Sequence, residues 1–168
     1  ALEDTFNISI GQGGLRQSPL QMACFASKLA LNRNDFHPTL LMNKEQNFLL
    51  NAGNGLGLAE DDYRAMVQGM VKATTDGTAR RCQIEGILVA GKTGTGQWRN
   101  HNMKLNLAWF IGFAPANDPK VAIATLVEGV IPQDQVQGGL TAAPIARDIL
   151  TAYFSKYKPE FSQNTNNP

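Results

Sequence analysis

Apolar residues recur along the chain with two periods, and the period changes where turn residues cluster. Leu20, Met22, Ala23, Ala26, Leu29 and Ala30 form a stripe that predicts a helix to about Leu31. Its start has a mechanism in Ser18-Pro19-Leu20-Gln21: Ser18 caps, Pro19 takes the first helical position, and Gln21 completes a capping box. Asn32 to Asp35 stops it. Tyr63, Met66, Val67, Met70 and Val71 follow helical spacing and predict a second amphipathic helix. Glu60-Asp61-Asp62 places negative charge at its amino end, where the helix dipole favours it, a better reading than a metal site. Thr74 to Gly77 closes this helix, and Thr78 is placed to cap a short turn through Cys82.

The later chain changes character. Ile87-Leu88-Val89-Ala90 reads as a buried strand, and Leu105 to Phe113 and Val121 to Val127 read as two more. Ala114-Pro115-Ala116-Asn117-Asp118-Pro119 is a turn signal, so the last two strands form an antiparallel hairpin. Gln97 to Lys104 reads as a polar loop carrying Trp98 and His101. Gly138-Gly139 precedes a last helix, about Ala142 to Tyr157, with Ile145, Ile149, Leu150 and Tyr153 as its apolar face. Near the start, Phe6 to Ile10 alternates and Gly11 to Gly14 turns the chain. His37-Pro38 begins an extended piece through Met42, with His37 read as a loop histidine, and Asn51 to Gly57 reads as a loop. Helices, then hairpin strands, then a closing helix make an α+β layered fold. Residues 1–158 form the folded part and residues 159–168 a polar tail predicted to be disordered.

Composition narrows the function classes. The 168 residues amount to one domain or part of one, with 43% hydrophobic residues for a core. A formal net charge of +1 argues against general binding to nucleic acid or a membrane surface. Cys24 and Cys82 lack metal or redox spacing and read as packed thiols, though an oxidising compartment would let them pair. There is no run of about 18 apolar residues of the kind that crosses a bilayer.

The richest chemistry is Gly91-Lys92-Thr93-Gly94-Thr95-Gly96, where a strand turns polar. Lys92 supplies a point charge, Thr93 and Thr95 supply hydroxyl donors, and Gly94 and Gly96 let a ligand approach the main chain. That set suits a carboxylate. Gly86 to Thr93 also spells the G-x-x-x-x-G-K-[ST] phosphate loop, which would make the chain a nucleotide binder. The four intervening residues are the apolar strand itself, however, and two glycines follow where a helix should begin.

Six stretches in order resemble the carboxy-terminal part of the transpeptidase domain of class B penicillin-binding proteins, especially the penicillin-binding protein 2 group. They are Ser9 to Gly13, Ser18 to Ala23, Asp76-Gly77-Thr78-Ala79, Ala90 to Thr95, Ala108 to Pro115, and Ala143-Pro144-Ile145-Ala146. The resemblance implies an antiparallel sheet packed between helices, the later part of a fold shared with serine β-lactamases. It implies a periplasmic enzyme of the inner membrane that cross-links peptidoglycan stem peptides, is acylated by β-lactams, and needs no cofactor or metal. It implies catalytic roles for Lys92, Thr93 and Thr95, and substrate binding by Lys92, Thr93, Gly94 and Thr95. Trp98 either walls the cleft or packs on its own turn.

The family orders its boxes S-x-x-K, S-x-N, K-T-G. Here Ser155-Lys156-Tyr157-Lys158 and Ser162-Gln163-Asn164 match the first two by letter, but both follow Lys92 and read as coincidence. The chain is therefore expected to carry the anion-binding wall without the serine nucleophile, which a missing N-terminal part of the same domain would supply. That absent part would also bring the membrane anchor and contacts to other cell-wall elongation proteins. A non-catalytic scaffold module on the same fold is the rival reading.

Overall fold

The computed structural model describes residues 5, 6, 8, 16–39, 55–100, 103–131 and 133–161. Helix α1 spans Pro19–Leu31 and α2 spans Glu60–Thr75. A single 3-10 turn, Arg80–Cys82, leads to strands β1 (Ala90–Asn100), β2 (Met103–Ala114) and β3 (Val121–Glu128). A π-turn, Gly138–Ala142, opens helix α3, Ala143–Phe161, which is interrupted at Tyr157. The strands form one antiparallel sheet in the order β1-β2-β3.

The helix signals hold. Ser18 Oγ accepts from Gln21 N at 3.2 Å and Gln21 Oε1 accepts from Ser18 N at 2.8 Å, the reciprocal capping box. Glu60, Asp61 and Asp62 lie in the first turn of α2. Tyr63 on α2 donates its hydroxyl to Leu29 O at 2.8 Å, tying α2 to α1. Leu20 departs from the predicted stripe, being 65% exposed, because it sits in the first turn ahead of the residues that reach the sheet.

Paired strand residues share a face, so the register sorts the sheet into two sides. Ala90 and Phe113 pack with Leu29 of α1 and Met70 of α2 on one face. Phe110, Ala108 and Ile123 pack with Ala142, Ala143, Ala146, Leu150 and Phe154 on the other. The π-turn and helix α3 thus meet the sheet through Ala142, Ala143 and Ala146, small residues that permit close approach. Ile145 and Ile149, expected in its apolar face, are instead 41% and 50% exposed. The helix runs on to Phe161, past the predicted end at Tyr157.

Three other expectations are corrected. The regular ladder begins at Ala90, not Ile87: Ile87 pairs locally with Ile84, and Leu88 O accepts from Ala116 N at 2.7 Å, past the end of β2. Ile84 and Ile87 bridge around Gly86, whose φ of +73° is one that glycine adopts freely. Gln97 to Asn100 and Met103 to Lys104 are strand rather than loop, since β1 and β2 continue as a ribbon beyond the last β3 partner at Leu107. A ribbon unsupported by a third strand is wetted, so its polar sequence imitates a loop. Thr78 does not cap the 3-10 turn, which has no side-chain cap bond. Thr5, Phe6 and Ile8 are helical, whereas Ser9 to Gly13, His101 and Ser162 to Pro168 lie outside the described residues, as do residues 40–42 of the predicted extension.

Both cysteines are free thiols, Cys24 half-buried on α1 and Cys82 buried under α3. Burial pushes the Cys82 thiol up to about 12, against an opposing pull from Arg147. A raised thiol pKa stabilises the fold in full below the ordinary value, 9.0, and that contribution is lost as pH rises through about 12. An alkylating reagent at pH 8 is expected to modify Cys24 first and Cys82 only after denaturant is added, read by peptide mass. Equal rates would contradict the packing.

Candidate functional site

Lys92, Thr93, Gly94 and Thr95 fall in the middle of β1, paired with Ile111, Phe110, Trp109 and Ala108. An antiparallel strand, not a helix, carries on from Gly91-Lys92-Thr93, so the geometry of a phosphate loop is absent at these residues. β1 lies at the margin of the described sheet, with β2 as its one strand neighbour there.

Alternation divides the predicted site residues. Lys92, Gly94 and Trp98 belong to the face that holds α1 and α2, and Thr93 and Thr95 to the face that holds α3. Lys92 is exposed, and its ammonium donates to Thr93 O at 2.7 Å. Thr93 is 9% exposed, and its hydroxyl lies 2.7 Å from that of Thr78. Thr95 is exposed, and its hydroxyl accepts from Gly138 N at 3.3 Å. Trp98 is 39% exposed beyond them, on the ribbon and opposite Leu105.

Two residues without an assigned role complete this arrangement. Thr78 comes from the turn after α2, and Gly138 from the strap that leads into α3. A Cβ on Gly138 would lie 2.6 Å from Gly94 O and 2.6 Å from Trp109 O, so the strap passes flush against the β1–β2 ladder. Gly139 is equally flush with the Thr78 carbonyl. Thr125 on β3 donates to Ala142 O at 3.0 Å and fixes the end of the strap. The Asp76-Gly77-Thr78-Ala79 stretch was a sequence signal for Thr78, but spacing alone did not connect it to Thr93. Among the described residues no group of His, Cys, Asp and Glu could hold a metal, and no buried side-chain polar atom lacks a partner. Ser155 stands exposed on α3, the setting of a surface serine.

Residues 3–151 match the penicillin binding protein transpeptidase domain family. The chain belongs to that family, with relatives of the class B, penicillin-binding protein 2 type. It is 34% identical over 152 residues to the peptidoglycan D,D-transpeptidase PbpA of Mycolicibacterium smegmatis, an alignment covering 86% of this chain and 30% of that protein. Its fold is similar to penicillin-binding protein A from M. tuberculosis in a ceftriaxone acyl-enzyme complex. There the TM-score is 0.66 at 27% identity, over 87% of this chain and 34% of that one. It is also similar to PBP2 of Pseudomonas aeruginosa, with a TM-score of 0.65 at 27% identity, over 90% of this chain and 32% of that one. The chain thus spans about a third of the length of these proteins, and the α+β layering read from its sequence is the fold they share.

Proposed function

We propose that this chain forms the carboxylate-gripping wall of a peptidoglycan D,D-transpeptidase. The enzyme joins stem peptides by acyl transfer. A serine oxygen bonds to the penultimate D-alanyl carbonyl, D-alanine leaves with a proton, and an amine from a second stem then takes the acyl group and releases the serine. The serine comes from outside residues 1–168, on the same domain. β-Lactams, which resemble the D-alanyl-D-alanine end, acylate the same serine. The site faces the periplasm; among the described residues no helix is long and apolar enough to cross a bilayer.

The observation that carries the reading is Lys92, an exposed cation in the middle of a marginal strand, with glycine at position 94 on the same face. A cation held beside bare backbone attracts an anionic ligand, and the attraction strengthens as the bound ligand displaces water from it. Thr95 adds a hydroxyl and a main-chain N–H close to the same margin, and Trp98 bounds the far end.

Replacing Lys92 with glutamine removes the charge but keeps most of the stem. In the intact protein, the rate of acylation by a fluorescent penicillin is expected to fall about 30-fold, the worth of one charge-assisted hydrogen bond of about 2 kcal/mol. The 168-residue polypeptide by itself is expected to take no label. An unchanged rate in the Lys92→Gln protein would remove Lys92 from the site. An intact protein that takes no label would favour a non-catalytic module on this fold.

A further inference from the structure

The geometry points to Thr78 as a positioning residue that sets the direction of the Thr93 hydroxyl toward the ligand carboxylate. This inference rests on the transpeptidase reading above, with the ligand lying along the margin of β1, where it meets Lys92 from one face and the Thr93 hydroxyl from the other.

A threonine hydroxyl has one proton to give and two positions at which to accept. Thr78 and Thr93 stand 2.7 Å apart, and either can be the donor. When Thr78 donates, the Thr93 proton is left for a ligand oxygen. When Thr93 donates, it is spent inside the protein. An incoming carboxylate accepts only, so it selects the first arrangement, with Thr78 behind Thr93 in a two-hydroxyl relay.

Thr78 is held well enough to do this. Ala79 N donates to Ala73 O at 2.8 Å, anchoring the turn to the last coils of α2. A Cβ on Gly77 would lie 2.8 Å from Ala73 Cα, so the turn is packed against that helix. From the other side Gly139 closes on the Thr78 carbonyl. Thr93 itself is fixed by its pairing with the fully buried Phe110. The hydroxyl pair therefore joins two rigid elements, and its geometry survives the arrival of a ligand.

The test compares a fluorescent penicillin carrying its free carboxylate with the methyl ester of the same compound, on the intact protein. Thr78→Val is expected to slow acylation by the free acid about tenfold while leaving the ester within about twofold. Thr78→Ser keeps the hydroxyl and is expected to restore the wild-type preference for the acid. If the valine methyls crowd Gly139 and the protein does not fold, Thr78→Ala reads the same hydroxyl. A variant that slows acid and ester equally, or neither, overturns the inference, because a merely structural role would not distinguish them. A wild-type protein that takes no label from either compound overturns the transpeptidase reading instead, and this inference with it.

Discussion

Phe110→Ala is expected to lower the stability of the intact protein by about 4 kcal/mol, within the range of large aromatic truncations in a core. Phe110 is fully buried in the central strand and belongs to the cluster under α3. It pairs with Thr93 on one side and Thr125 on the other. Its ring lies against Gly91, where a Cβ would fall 2.7 Å from Phe110 Cε2. Gly91 leaves the space that the ring fills, so neither the ring nor the strand above it has slack. Truncation opens a cavity beneath the segment that carries Lys92 and Thr93. Surrounding residues close it poorly, because Ala108, Ala142, Ala143 and Ala146 are too short to reach in. Urea unfolding checks the value: the midpoint should fall with little change in slope. A loss below about 1 kcal/mol would mean that the ring is not the support of β1.

What the sequence reveals, and what it hides, follows from how far each signal reaches. The capping box at Ser18 is a contact between neighbours in sequence, so it is legible letter by letter, and it forms as read. The α2 stripe and the β2 and β3 strands are equally local. The ends of β1 are not. Ile87 is taken out of the ladder by its bridge to Ile84 around Gly86, and whether residues 97–100 pair depends on a ribbon that a polar composition disguises. The outward turn of Ile145 and Ile149 is hidden for a similar reason: alanines, which carry little hydrophobic signal, are what let α3 approach the sheet. At the site, residue types alone place Lys92, Thr93, Gly94 and Thr95 together, and the strand does keep them adjacent. Alternation then separates the ammonium from the hydroxyls, and Thr78 and Gly138 reach these residues only through the tertiary fold.

Gly138 carries the second large effect, and its cause differs from that of Phe110. An alanine methyl there would meet Gly94 O and Trp109 O at 2.6 Å each and Gly94 N at 2.9 Å. All three are main-chain atoms of paired strands and cannot swing aside as a side chain can. Either the strap lifts off the sheet, losing the Gly138 N to Thr95 hydrogen bond, or the ladder at Gly94 distorts. Gly138→Ala is therefore expected to cost about 3 kcal/mol, the upper part of the usual overpacking range, and to slow acylation as well. Two other glycines separate these consequences. A Cβ on Gly94 would sit 3.5 Å from Trp109 Cβ, an ordinary contact, on the same face as Lys92. Gly94→Ala should leave the unfolding midpoint nearly unchanged and slow acylation alone, because the methyl crowds the margin of β1 along which a ligand lies. A Cβ on Gly69 of α2 would meet nothing within 4 Å. Gly69→Ala should raise stability by about 0.5–1 kcal/mol through helix propensity and leave acylation as it was. Loss of both properties in Gly138→Ala, of one in Gly94→Ala and of neither in Gly69→Ala is the pattern expected if the strap holds the strand and the strand holds the ligand. A Gly138→Ala protein as stable as the wild type would show that the strap merely rests on the sheet, and the alignment of Thr95 would then need another source.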